Sequence, residues 1–260
     1  MAARAIWKGV LRLGDVDVPV KLYSAVEDRS VHFRLLHADD SVPLKQRMVE
    51  PDGDDVPSDA IRRGFEVRSG EYVVLDDDEL DRLEPESSRD IELTRFVPAG
   101  AIGNAWYDRP YWLGPDGDAG AYFALVAALR EDEREGVARW TMRKREYQGS
   151  LRPEGEHLML VTLRHADEVV PASSLPAPGG RALSRKEVAM AERLVEALAD
   201  DWDPSAFRDE YRDRVLELIE AKSEGKTIPL RRPERKQPTD ELERALADSL
   251  KAVGKRRKSA

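Results

Sequence analysis

The sequence predicts a mainly β protein with some α: a barrel or sandwich followed by a helical arm. Three observations point there. Short β-branched and aromatic runs recur through residues 1–170, bounded by Gly, Pro and Asp. A stretch dense in Pro and Gly follows at Pro171–Gly180. Beyond it the apolar period changes from two to that of a helix.

In chain order, strands are expected at Ala5–Leu13, Val16–Ser24, Tyr72–Leu75, Ile91–Val97, Arg139–Tyr147 and Leu158–Leu163. Pro51-Asp-Gly-Asp-Asp, Gly114-Pro-Asp-Gly and Arg152-Pro-Glu-Gly read as turns between them. Two helices interrupt the strands. Asp77–Leu83 opens on acids that suit a helix N-terminus. Ala119–Glu135 places Leu125, Ala128 and Leu129 on one face.

In the arm, Ser184-Arg-Lys-Glu is a capping box. Val188, Ala191, Leu194, Val195 and Leu198 follow at helical spacing. A second helix is expected from Asp203-Pro-Ser, through Phe207, Tyr211, Val215, Leu218 and Ile219, to Gly225. The apolar face of this two-helix arm asks for a partner, in the same chain or in another. Thr227–Thr239, rich in Arg and Pro, should be extended or disordered. Asp240–Val253 reads as a short helix with Leu242, Leu246 and Leu250 at four-residue spacing. A helix this short is marginal alone, so docking on a partner is slightly favoured over packing on its own domain. The resulting organisation is a β body with its extension over residues 1–170, an arm over 171–225 and a basic flexible tail over 226–260.

Composition excludes several classes. With 41% hydrophobic and 36% charged residues, the 260-residue chain can bury a core and is not wholly disordered. With no cysteine, disulfide frameworks, thiolate zinc sites and cysteine nucleophiles are excluded. No apolar run approaches a membrane span, and Gly9 and Asp15 interrupt any secretory core near the start. A cytoplasmic protein with no membrane contact is the expectation. His32, His37, His157 and His165 form no metal-binding pattern. The acidic runs Asp52-Gly-Asp-Asp and Asp76-Asp-Asp-Glu read as solvated loops or helix starts. No phosphate-binding glycine loop or nucleophile elbow is present. Neither an enzyme nor a cofactor is expected.

The net charge of −9 hides an asymmetry. From Lys226 to Ala260 there are 11 Lys and Arg against 5 Asp and Glu, a balance of +6; residues 1–225 carry 31 against 46, a balance of −15. An acidic body with a basic tail suits a polyanion partner, although a solubilising terminus has the same composition. Within the body, Arg139-Trp-Thr-Met-Arg-Lys-Arg-Glu-Tyr stands out. Read as one strand, it places Arg139, Thr141, Arg143 and Arg145 on one face and Trp140 and Met142 on the other. Three guanidiniums in a stripe suit phosphates, whereas a face paired with neighbouring acids is the bland alternative. No base-reading motif accompanies them, so backbone binding fits better.

Several motifs together resemble bacterial Ku. They begin with Arg4-Ala-Ile-Trp-Lys-Gly, Val18-Pro-Val-Lys-Leu-Tyr-Ser-Ala and Val31-His-Phe-Arg-Leu-Leu-His-Ala. Gly70-Glu-Tyr-Val-Val-Leu, Ser88-Arg-Asp-Ile-Glu, Phe96-Val-Pro and Tyr107-Asp-Arg-Pro-Tyr follow in order. Ala166-Asp-Glu-Val, Phe207-Arg-Asp-Glu-Tyr and Leu216-Glu-Leu-Ile-Glu-Ala-Lys complete the set. The resemblance spans roughly residues 3–225. It implies a Ku-type β-barrel core with a bridge or ring extension and a C-terminal helical arm. It further implies a homodimeric ring threaded on double-stranded DNA ends at the nucleoid, recruiting DNA ligase D for non-homologous end joining. Some relatives carry a Cys-x-x-Cys-Gly turn where this chain has Val49-Glu-Pro-Asp-Gly; Gly53 alone keeps the turn.

The candidate phosphate contacts are Lys21, Arg34, Lys45, Arg47, Arg62, Arg63, Arg109, Arg139, Arg143 and Arg145, with Arg143 and Arg145 ranked first. The candidate ligase-docking residues are Leu242, Leu246 and Leu250. Two rival readings stay open: an acidic scaffold that binds DNA through its tail alone, and an end-processing nuclease or lyase.

Overall fold

The computed structural model describes residues 4–180, 182–226, 246–247 and 249–250. Among these, one compact unit holds residues 4–29 and 34–174. The other holds residues 30–33 and those from 175 onward. The boundary falls within the Pro171–Gly180 stretch.

The first unit is a closed seven-stranded barrel with a two-stranded extension. Its elements in chain order are β1 (Trp7–Leu13), β2 (Val16–Ser24), β3 (Arg63–Arg68), β4 (Glu71–Leu75), α1 (Asp77–Leu83) and β5 (Asp90–Pro98). Then come β6 (Tyr107–Pro115), α2 (Gly120–Glu131), β7 (Arg134–Met142), β8 (Arg145–Glu154) and β9 (His157–Leu163). Around the barrel the order is β1-β2-β6-β9-β8-β7-β5, and a parallel β1–β5 pairing closes the ring. β3 and β4 form a separate hairpin.

Alternation in sequence becomes inside and outside in the barrel. Val18, Val20 and Leu22 are buried on β2, while Pro19 and Lys21 point outward. Leu11, Ile91, Leu113, Trp140, Leu151, Leu158 and Leu160 complete the core. α2 adds Tyr122, Val126 and Leu129 to that core. Buried Tyr122 pins the helix, because its hydroxyl donates to the Leu113 carbonyl (2.6 Å) and accepts from the Leu158 N–H (2.8 Å). Gly149 is required by close approach: a Cβ there would lie 2.7 Å from both the Trp140 ring and the Val161 carbonyl oxygen.

A buried carboxylate organises another part of the barrel. Glu135 is 2% exposed. It accepts from Ser150 Oγ (2.5 Å), Tyr107 Oη (2.9 Å) and the Gly100 N–H (3.2 Å). Three donors replace the water lost on burial, and together they tie the starts of β6 and β7 to β8.

Several expectations change. β3 and β6 were not anticipated. Pro110 argues against a strand, but the β6–β9 register shifts between Tyr107 and Pro110. Thr162 Oγ1 then accepts the Arg109 N–H (2.9 Å) that the irregular ladder leaves over. α2 stops at Glu131 rather than Glu135, because Glu133 adopts a φ of 49° and turns the chain into β7. The single strand Arg139–Tyr147 is instead the end of β7, a two-residue turn at Arg143–Lys144, and the start of β8.

In the second unit, α3 (Arg185–Leu198) carries the expected capping box. Ser184 Oγ accepts from the Glu187 N–H (3.2 Å), and the Glu187 carboxylate accepts from the Ser184 N–H (2.8 Å). The next helix, α4 (Glu210–Ser223), starts later than expected. Asp203 closes only a single turn at Pro204–Ala206, and Asp209 caps α4 by accepting from the Arg212 N–H (2.9 Å). Val195, Leu198, Trp202, Phe207 and Tyr211 remain exposed. Leu242 and Thr227–Thr239 lie outside the described residues; Leu246 and Leu250 are in helical backbone.

Candidate nucleic-acid interface

The ten basic candidates all belong to the first unit, but they do not form one stripe. On the barrel, Lys21 points outward from β2 and binds Asp116 (2.8 Å). Lys8, which faces Lys21 across the β1–β2 ladder, binds the same carboxylate (2.9 Å). These two ammonium groups hold Asp116 below its ordinary range, and Asp116 in turn raises Lys21. Two cations on one anion leave a single net positive charge. Arg109, exposed on β6, makes no ion pair among the described residues.

Arg139 is committed elsewhere. Its guanidinium bonds Glu92 on β5 (2.9 Å), with Glu146 also nearby; Glu92 is the main reason it is held more firmly protonated. It lines a cleft of about 630 Å³ with Arg12, Asp90, Glu92 and Glu146. This is the bland alternative of a strand face paired with acids.

The expected Arg139, Arg143 and Arg145 stripe is corrected by the turn. Arg143 and Lys144 have φ of 52° and 65° and lie between the paired residues Met142 and Arg145. Directly opposed residues share a face. Arg145 therefore shares the face of Met142, Trp140 and Tyr147, whereas Arg139 shares the other with Gln148, Thr141 and Glu146. Strand parity fails because the chain reverses midway. Arg143 and Arg145 are exposed and make no ion pair among the described residues.

Lys144 was missed because parity assigned it to the core side. It instead reaches Glu84 (2.9 Å) and Asp81 (3.4 Å), which keep its ammonium group protonated beyond the ordinary range. The only local signal was three consecutive cations with no glycine or asparagine to mark a turn.

The remaining candidates sit on the segment between β2 and α1. Arg34 and Lys45 are exposed in irregular backbone. Arg47 bonds Asp55 (2.5 Å), beside the turn in which Gly53 adopts a φ of 99°. Arg62 bonds the Asp59 carbonyl oxygen (2.6 Å), and Arg63 lies 3.7 Å from Asp77. The β3–β4 hairpin beside them is unusual: all of β3 and most of β4 are exposed, including Phe65 (68%), Tyr72 (60%) and Val74 (57%). Two strands alone are marginal in water, and apolar residues here lie on both faces.

Among the described residues, no group of three or more His, Cys, Asp or Glu could hold a metal ion. No described helix is long and apolar enough to cross a membrane.

Comparison with known proteins agrees with this architecture. Residues 12–191 match the family described as the Ku70/Ku80 beta-barrel domain. Non-homologous end joining protein Ku 2 of Geotalea uraniireducens (strain Rf4) is 42% identical over 256 residues, covering 97% of this chain and all of that protein. Non-homologous end joining protein Ku of Koribacter versatilis (strain Ellin345) is 35% identical over 262 residues, covering 99% of this chain and 89% of that one. Its namesake from Archaeoglobus fulgidus is 34% identical over 252 residues, covering 96% and 97%. With similarity of this extent laid over a closed barrel and its two-stranded extension, the chain belongs to the Ku family.

Proposed function

We propose that the protein is a non-enzymatic clamp for double-stranded DNA ends. It binds the duplex backbone without sequence specificity as a homodimeric ring. It protects the end and recruits DNA ligase D for non-homologous end joining at the nucleoid. The observation that carries this reading is the near full-length similarity to relatives named as non-homologous end joining proteins.

The exposed β3–β4 hairpin supports the dimeric part. A second copy, bringing the same apolar surface, is the simplest cover for a hairpin exposed on both faces. The helical arm, with exposed Trp202, Phe207 and Tyr211, offers further surface to that copy. Free cations at Arg34, Lys45, Arg109, Arg143 and Arg145 are the proposed phosphate contacts. Those already held by acids, Arg47 and Arg139 above all, contribute less. Ligase docking is assigned to Leu242, Leu246 and Leu250.

The test compares binding to linear and covalently closed circular duplexes of one sequence at two salt concentrations. A ring requires a strong preference for the linear form and a steep loss of affinity with salt, about 0.9 in log–log slope per neutralised phosphate. Equal binding to both forms would mean side-on attachment and would overturn the ring.

A further inference from the structure

The turn joining β7 to β8 departs from the chemistry its geometry favours. Two consecutive residues with positive φ close this two-residue hairpin. Asn-Gly suits such a turn, because a short or absent side chain avoids the clash of Cβ with carbonyl oxygen. Arg143 and Lys144 occupy it instead. Residues held in a sparsely populated backbone region persist where the surrounding structure over-determines them, and they cluster where strain serves function.

The two side chains divide the work. Lys144 Nζ bridges Glu84 and Asp81 at the C-terminal end of α1, where the helix carbonyls also favour a cation. Arg143, next to it, is exposed and makes no ion pair with a described residue. The hairpin tip is thus fastened to α1 through one residue, and the guanidinium beside it is left for another anion. α1 directly follows the β3–β4 hairpin in the chain, so the fastening links the tip to the root of that extension.

We infer that the β7–β8 turn is a built DNA-backbone contact, in which Arg143 touches phosphate and Lys144 positions it by gripping Asp81 and Glu84. This rests on the DNA-end reading above and assigns two residues within it. Arg143 is the contact residue; Lys144 is a positioning residue with no phosphate of its own. An Asn-Gly turn would be conformationally easier but would carry no charge to the duplex.

The experiment uses the full chain and a blunt linear duplex, with Kd measured across a salt series and Tm for each variant. Arg143→Asn is expected to weaken binding and lower the salt slope by about 0.9 for each protomer in contact, with Tm unchanged or raised. Lys144→Gly is expected to weaken binding with the slope intact, and to hold Tm or raise it by about 2–4 °C. Lys144→Arg should restore affinity. An Arg143→Asn protein with unchanged Kd and slope overturns the inference, as does a Tm loss that accompanies the affinity loss. Lys144→Gly with unchanged affinity, or with a reduced slope, removes the positioning role. If the unaltered protein shows no preference for linear DNA, the end-binding reading itself fails. If it prefers linear DNA but ignores Arg143→Asn, only this inference fails.

Discussion

Tyr122 shows how much one hydroxyl organises. It is fully buried, and its oxygen both donates to Leu113 on β6 and accepts from Leu158 on β9. Tyr122→Phe leaves a buried N–H and a buried carbonyl without that partner, at a cost of about 1–3 kcal/mol. Urea unfolding should show a lower midpoint with an unchanged m value. The same residue gives a pH prediction. Burial raises the Tyr122 hydroxyl above its ordinary pKa, and burial with Glu135 does the same to Tyr107. A folded pKa above the unfolded value of about 10 favours the fold fully below pH 10 and loses that contribution as pH rises through the folded value. Stability should therefore decline above pH 10, and Tyr122→Phe should make the decline shallower. An equally steep decline in the variant would show that Tyr122 does not titrate with unfolding.

At the scale of elements, the β7–β8 hairpin packs its own ring against a glycine with no room to spare. The Trp140 ring stacks on Tyr147 at a centroid distance of 5.5 Å and lies over Gly149. Gly149→Ala would press a methyl group into that ring and into the Val161 carbonyl, costing about 1–3 kcal/mol through overpacking. A chemical-denaturation midpoint equal to that of the unaltered protein would mean the ring gives way. This hairpin also marks where local reading of the sequence stops. The bounds of β2 and α1 were legible because alternation, acids and caps are properties of adjacent residues. The break at Arg143–Lys144 was not, because the turn carries none of the usual residues and both of its residues take a positive φ that their own identities do not favour. β6 was hidden for a related reason: Pro110 signals against a strand, and the side chain of Thr162 on another strand makes it acceptable.

For the whole molecule, the charge segregation separates two ways of binding DNA. The acidic body carries its free candidate cations on the barrel (Arg109, Arg143 and Arg145) and on the irregular segment between β2 and β3 (Arg34 and Lys45), while the tail beyond Lys226 is basic. Deleting residues 226–260 should leave the preference for linear DNA intact and abolish stimulation of ligation by DNA ligase D. Loss of DNA binding in the truncated protein would instead support the scaffold that binds through its tail alone. The proposed dimer predicts twice the chain mass for this truncation in light scattering, because the exposed hairpin and arm both precede the deletion; a monomer mass would count against dimerisation through them.

By itself the sequence determined the β body, the Pro-rich boundary, the helical arm, the absence of thiol chemistry and the resemblance to Ku. Each of these depends on composition or on residues near one another in the chain, and local preference travels with the residue. Only the tertiary structure decided the strand order, the parallel β1–β5 closure and the reversal that splits the basic stripe. It alone decided which cations are already spent: Lys21 on Asp116, Arg139 on Glu92 and Lys144 on Glu84. An ion pair forms where the fold brings opposite charges within a few ångströms, and no residue carries that distance in its own identity.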